Sequence, residues 1–407
     1  MDFDERLEKY AELIVKTGVN VQKGQPVILY ISVDQAKLAR LIVAKAYETG
    51  AGRVFVKWRD DFINRKFIEN ASDEFLNDMP DWEKAEGKWI ADEKAARISV
   101  ISSDPNALSG VDTKRVAAWN KTCDDALEPV MDATINHKLA WTVVGAASPA
   151  WAKQVFPELD EKAATERLWE KIFDTARVTE DPVKEWERHA EKLHEKAAWL
   201  NEEQFKELHY TSPVTDLTIG LPKNHYWAGG SKENSLGIKF MANMPTEEVF
   251  TAPDNRRING YVTATKPLSY AGNILEGMRF SFKDGKVVEA TAEKGQDVLD
   301  ELLKNAGADS LGEVSLVPDE SPISQSGIIF YNTLYDENAS DHLALGAAYP
   351  FNVQGGREMS NEELLEHGVN VSKTHVDFMV GTADLSITGT THDGRELPVF
   401  RSGNFAL

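Results

Sequence analysis

Residues 23–56 read KGQPVILYISVDQAKLARLIVAKAYETGAGRVFV, and this stretch decides the fold of the first half of the chain. Pro26-Val27-Ile28-Leu29-Tyr30-Ile31 is a short apolar run entered through a Lys23-Gly24-Gln25 turn. Leu38, Leu41, Ile42 and Lys45-Ala46 then recur at helical spacing over residues 34–48, with Asp34 placed as the N-cap. Gly50-Ala51-Gly52 stops the helix, and Arg53-Val54-Phe55-Val56 opens a second apolar run. Strand, helix and strand in 34 residues make a βαβ unit, which forces the two strands to lie parallel. Outward from it, Leu7, Tyr10, Ala11 and Ile14 mark an amphipathic first helix. Ile98-Ser99-Val100-Ile101 and Trp141-Thr142-Val143-Val144-Gly145 continue the alternation. The expected architecture is α/β, a Rossmann-like parallel sheet with helices on its faces.

A nucleotide is not implied by that fold. The turn after Ile31 reads Ser-Val-Asp-Gln, with neither a GxGxxG nor a GxxxxGK[ST] loop, so the backbone lacks the glycines that admit a pyrophosphate. Residues 158–209 carry Glu, Lys, Ala and Trp at helical spacing and predict two long helices broken near Asp181-Pro182. Trp169, Trp186, Leu193 and Trp199 face the core, and His189 and His194 lie on the surface. From Thr211 the text turns β-like. Asp216-Leu217-Thr218-Ile219 and Gly260-Tyr261-Val262-Thr263-Ala264 alternate, and Phe280–Lys283 meets Lys286–Glu289 through an Asp284-Gly285 hairpin turn. A boundary near residue 212 separates a 1–212 N-terminal α/β domain from a 213–407 C-terminal α+β catalytic domain. The length, 407 residues, favours two cores over one.

The charge narrows the function classes. With 66 acidic against 45 basic residues, the formal charge is −21, a surface that repels phosphate backbones and anionic lipid and favours cationic ligands such as a peptide amino terminus. The expected partners therefore include no nucleic acid and no membrane. The single Cys123 cannot form an internal disulfide and excludes a cysteine-rich metal site, which fits a reducing compartment. The acidic start MDFDERLEKY has no signal-like basic and apolar regions, and no run reaches roughly 18 apolar residues, so a soluble cytoplasmic protein is expected.

The residues that can carry chemistry fall in four segments of the second half. NMPTEEVFTAP (243–253) holds the adjacent Glu247 and Glu248. LGEVSLV (311–317) places Glu313 inside an apolar strand-like run, where an unpaired carboxylate is costly to bury. In YDENASDHLALGAAY (335–349), a helix from about Ser340 would set His342 and Tyr349 on one face. In SKTHVDFMV (372–380), His375 and Asp377 are two apart in a strand-like run and project to the same side, half of a zinc, cobalt or manganese site or a metal-free hydrogen-bonded pair. Carboxylates from Glu247, Glu313, Glu337 and Asp377 with imidazoles from His342 and His375 suit a pair of divalent ions better than one structural zinc.

These four segments, in this order, resemble the signature of the M29 metallopeptidases, and the likeness extends over the whole chain, including TDLTIGLPKNHYWAGG before the first motif. The resemblance implies a homodimeric aminopeptidase that uses Co²⁺, Zn²⁺ or Mg²⁺ and releases N-terminal residues from peptides with broad preference. It assigns Glu247, not Glu248, as the first metal-site glutamate, and Glu313 as a second that bridges two ions. Glu337, His342, His375 and Asp377 match the remaining ligands, and Tyr349 matches the active-site tyrosine. Peptide hydrolysis needs an activated water and a counter-charge for the oxyanion, which two divalent ions about 3.5–4 Å apart supply. Glu247 or Glu313 would move the proton, and Tyr349 would donate to the oxyanion. The competing readings are a two-metal phosphoesterase, disfavoured because the four segments contain only Lys373 as a cation for an anionic substrate, and a non-catalytic peptide-binding protein. A serine hydrolase lacks its GxSxG, and Ser324–Gly327 reads as a turn.

Overall fold

The computed structural model describes residues 1–406. They separate into two compact units. One holds Met1–His189, Ser231–Pro245 and Ala271–Asn273; the other holds Ala190–Gly230, Thr246–Tyr270 and the chain from Ile274 onward.

The first unit contains the parallel sheet expected from the βαβ stretch. Its strand order is Asn243–Met244, Trp141–Gly145, Ala96–Ile101, Pro26–Ser32 and Arg53–Arg59, every pair parallel. Val27, Ile28, Leu29 and Ile31 are fully buried, as strands covered on both faces require. The helix Ala36–Thr49 ends on Gly50, whose φ of 106° is a left-handed cap that a side chain would strain. Its start differs from expectation. Asp34 is not the N-cap; the Ser32 side chain accepts from the Asp34 amide, and a short 3₁₀ turn, Val33–Gln35, precedes the helix. The chain already turns at Val33–Gln35, so Asp34 lies inside that turn and Ser32 stands at its start. Tyr10, Ala11 and Ile14 of the first helix are buried as predicted.

The helices Glu161–Thr175 and Pro182–Glu203 flank the Asp181-Pro182 break, with Trp169, Trp186 and Leu193 buried and Trp199 half-buried. His194 is exposed, whereas His189 is half-buried edge-on to Trp186. Among the described residues, no helix is long and apolar enough to cross a membrane.

The second unit is built on two antiparallel sheets. An eight-stranded sheet includes Glu207–Ser212, Thr215–Gly220, Ile258–Thr263 and the Arg279–Lys283/Lys286–Thr291 hairpin with its Asp284-Gly285 turn. A five-stranded sheet runs His375–Met379, His342–Gly346, Leu311–Leu316, Val249–Thr251 and Ala228–Gly229. One face of this second sheet belongs to the core. Val249, Val314, Leu316, Leu343, Leu345, Val376 and Phe378 pack there with Leu217, Ile219 and Phe280. Alternation then fixes what the other face carries.

The third motif corrects the sequence reading. His342–Gly346 is a central strand, not the start of a helix, so His342 and Tyr349 do not meet by helical periodicity. All five residues are buried, and a run buried on both faces shows no alternation in its sequence from which a strand could be told from a helix. The helical character is spent earlier, in Thr333–Asp336 and the 3₁₀ turn Glu337–Ala339.

Candidate metal centre

The register of the five-stranded sheet assembles the site. Residues paired across strands share a face, and Ser315 pairs with His342, Ala344 with Asp377 and Gly346 with His375. Glu313, two before Ser315 and paired with Ala344, joins them. Phe250 pairs with Ser315, so Glu248, two residues earlier, points to this face, while Val249 points to the core. Three strands thus deliver Glu313, His342, His375 and Asp377 to one surface, and a fourth adds Glu248 at its entry.

The side chains converge. Glu313 lies on a central strand with both oxygens engaged: Oε1 is 3.4 Å from His342 Nε2 and Oε2 is 3.6 Å from His375 Nε2. Glu248 Oε2 lies 3.3 Å from the same His342 nitrogen and accepts from Ser315 Oγ at 2.8 Å. Asp377 Oδ1 lies 3.2 Å from His375 Nε2. Glu248, Glu313 and His342 form one group of donor atoms within 4.8 Å of one another, and Glu313, His375 and Asp377 form a second. Glu313 is common to both.

Each imidazole is oriented through its other nitrogen. His342 Nδ1 donates to Glu337 O at 2.8 Å and approaches Ser340 O at 3.2 Å, and His375 Nδ1 donates to Ala347 O at 2.7 Å. A carbonyl can only accept, so it fixes the proton on Nδ1 and turns the Nε2 of each ring toward the carboxylates. That is the arrangement in which histidine serves as a metal ligand.

The electrostatics suit a cation. Burial first, and then the neighbouring Glu248 and Asp377 charges, push the Glu313 carboxyl above the usual range, although His342 and His375 pull against this. Glu337, also buried, is held well above its ordinary value by burial and then by Asp377. Burial alone would lower His375, but Asp377 overrides it and raises the imidazole to about 10. Glu248 and Glu313 raise His342 in the same way. Without an ion the carboxylates and imidazoles of the patch are held together by shared protons; a divalent cation would replace those protons and let the carboxylates ionise. Oxygen and imidazole nitrogen donors, with no thiolate, suit zinc, cobalt, manganese or magnesium.

The sequence-predicted residues are distributed as follows. Glu313, His342, His375 and Asp377 meet in the two groups. Glu337 opens the 3₁₀ turn beside them, its Oε1 accepting from Asn338 Nδ2 at 3.3 Å. Tyr349 follows the His342 strand, with its ring 5.2 Å from that of His375 and flanked by Phe250 at 5.8 Å and Phe351 at 5.4 Å. Its phenol is pushed well above 10, by burial and then by Glu313, so it stays protonated as a hydrogen-bond donor. Glu247 is buried next to the site, its amide held by Asn338 Oδ1 at 2.8 Å, but it belongs to neither group; Glu248 does. Sequence reasoning passed over Glu248, Ser315 and Asn338. The alternation of Glu248-Val249-Phe250 about the apolar Val249 is the signal that distinguishes the two glutamates.

Comparison with known proteins agrees with this chemistry. The family profile described as thermophilic metalloprotease (M29) matches residues 3–405. Aminopeptidase PepS of Streptococcus thermophilus is 51% identical over 409 residues, covering 100% of this chain and 99% of the relative. Aminopeptidase AmpS of Bacillus subtilis is 51% identical over 407 residues with the same coverage. A solved structure, wild-type AmpT from Thermus thermophilus, superposes with a TM-score of 0.93 at 40% identity, covering 100% of both chains.

Proposed function

The chain belongs to the M29 thermophilic metalloprotease family and is a metallo-aminopeptidase, and we propose that it hydrolyses peptides from the N-terminus with two divalent ions bridged by Glu313. The observation that carries the two-ion reading is the double engagement of Glu313, one carboxylate oxygen toward each imidazole. Glu248, Glu313 and His342 would hold one ion; Glu313, His375 and Asp377 would hold the other, with Glu337 as an additional carboxylate beside them. Bound there, Co²⁺, Zn²⁺ or Mg²⁺ would supply Lewis acidity toward the scissile carbonyl and acidify a water.

The remaining roles fall to the chain itself. Both oxygens of Glu313 face imidazoles, so it has no oxygen left over for proton transfer. Glu247, the buried carboxylate of the Glu247-Glu248 pair that joins neither donor group, is proposed to take the proton from water and return it to the leaving amine. Tyr349, kept protonated, is proposed to donate to the oxyanion. The Phe250–Tyr349–Phe351 aromatic cluster forms an apolar wall beside His375 that would exclude water from one side of the scissile bond. The formal charge of −21 over the chain favours a cationic peptide amino terminus over a phosphate ester at long range. A homodimer in the cytoplasm completes the proposal, checked by sedimentation and by cell fractionation.

Leucine p-nitroanilide and p-nitrophenyl phosphate, assayed side by side before and after chelation, test this. Hydrolysis of the anilide alone, lost on chelation and restored by Co²⁺ or Zn²⁺, is expected. Full activity in a metal-analysed, chelated sample overturns the mechanism, and preferential cleavage of the phosphate ester overturns the substrate class.

A further inference from the structure

Asn338 occupies a position that the reaction as described does not use, yet its side chain is fully buried and every polar atom on it is engaged. Its Oδ1 accepts from the Glu247 amide at 2.8 Å. Its Nδ2 donates to Leu334 O at 2.8 Å and to Glu337 Oε1 at 3.3 Å. Because an amide N–H can only donate, Oδ1 must face Glu247, which leaves the two Nδ2 hydrogens for the carbonyl and the carboxylate. The backbone oxygen of Asn338 in turn accepts from Ser321 Oγ at 3.2 Å. One side chain therefore ties the Glu247-Glu248 segment, 91 positions away in the chain, to the turn that carries Glu337. The Glu337 carbonyl on that same turn orients His342.

The two donor groups are not supported alike. In the group of Glu248, Glu313 and His342, Glu248 is held by Ser315 Oγ, its backbone neighbour by Asn338, and His342 by the Glu337 carbonyl, all buried. In the group of Glu313, His375 and Asp377, the His375 side chain is 24% exposed and its ring is held by Ala347 O from a different loop. The hydrogen bonds of the Asn338 side chain go to Glu247, Leu334 and Glu337, not to Glu313, His375 or Asp377.

We infer that Asn338 is a positioning residue for one ion only: it sets the affinity of the Glu248–Glu313–His342 group and leaves the Glu313–His375–Asp377 group unchanged. It acts through the Glu247-Glu248 backbone and through the turn whose Glu337 carbonyl orients His342, rather than by touching an ion. Outer partners of this kind change metal affinity by about 10–100-fold when removed. Ser315 Oγ, which donates to Glu248 Oε2 at 2.8 Å, is the companion of Asn338 in the same group.

The inference rests on the two-ion reading, and calorimetric titration of Co²⁺ into the metal-free full chain keeps the two apart. Wild type, Asn338→Ala and Ser315→Ala are compared, with the thermal unfolding of each metal-free protein recorded alongside. Two binding events are expected in wild type. In both variants one event should weaken 10–100-fold while the other keeps its dissociation constant. If wild type binds no ion, the metal reading itself fails. If wild type binds two and both variants bind both ions as tightly, or lose both events equally, the assignment of Asn338 to one group is wrong. Should Asn338→Ala not fold, Ser315→Ala, which removes a single hydroxyl from a strand residue, decides the question alone: an unchanged pair of events then counts against the inference.

Discussion

Replacing Glu313 by Gln keeps the volume of the side chain and removes the one charge that both donor groups share. In the folded chain Oε1 faces His342 at 3.4 Å and Oε2 faces His375 at 3.6 Å. An amide offers one acceptor oxygen and turns its NH₂ toward the other group, where it opposes a cation. At most one of the two ions then keeps its ligand. An ion present at about 1,000 times its dissociation constant stabilises the fold by about 4 kcal/mol. For a unit of roughly 150–250 residues, each kcal/mol moves the melting temperature by about 2–4 °C. Loss of one ion should therefore remove about 8–16 °C of metal-dependent stabilisation, and loss of both about twice that. Without metal the two proteins should unfold within a few degrees of each other, because each imidazole keeps a second carboxylate, Glu248 at 3.3 Å or Asp377 at 3.2 Å. Differential scanning fluorimetry of wild type and E313Q, in chelator and in excess Co²⁺, reads all four values. An equal metal-induced shift in both proteins would refute the shared role of Glu313.

Three further outcomes are expected. Glu248→Gln should release one ion per chain by atomic absorption, whereas Glu247→Gln should keep both and lower kcat by about 10²–10⁴-fold as a lost proton carrier; the reverse pattern would return the ligand role to Glu247. Tyr349→Phe should lower kcat by about 10²–10³-fold with metal content unchanged, and a variant as active as wild type would remove the phenol from the reaction. His225, 1% exposed with Nδ1 against Pro222 O, is lowered by burial from 6.5 to about 4. The unfolded chain therefore binds the extra proton between about pH 6.5 and 4, and stability falls across that window by about 3 kcal/mol while staying flat above it. His225→Gln should flatten the profile of urea midpoints over that range, and an unchanged profile would contradict the assignment.

The parts of the fold legible in the sequence are those with a strong local period. The Pro26–Ser32 strand, the Gly50 stop and the Asp284-Gly285 hairpin each carry their own signal in adjacent residues. His375 and Asp377 could be paired because strand alternation needs only two residues. The Asn243–Met244 strand joins the parallel sheet as a fifth member, and at two residues no periodicity exists to announce it. The sequence around His342 reads as a helix because a strand buried on both faces looks like any apolar run. The choice between Glu247 and Glu248 turned on the facing of Val249–Thr251, a strand of three residues whose direction is set by pairing with Leu311–Leu316, 65 positions further on. Family likeness names Glu247, whereas the register turns Glu248 toward the cluster.

An anomalous-scattering map of crystals grown with Co²⁺ or Zn²⁺ shows whether two ions share Glu313. Two peaks per chain, about 3.5–4 Å apart with Glu313 between them, are expected. A single peak, or two peaks of which only one touches Glu313, would contradict that sharing.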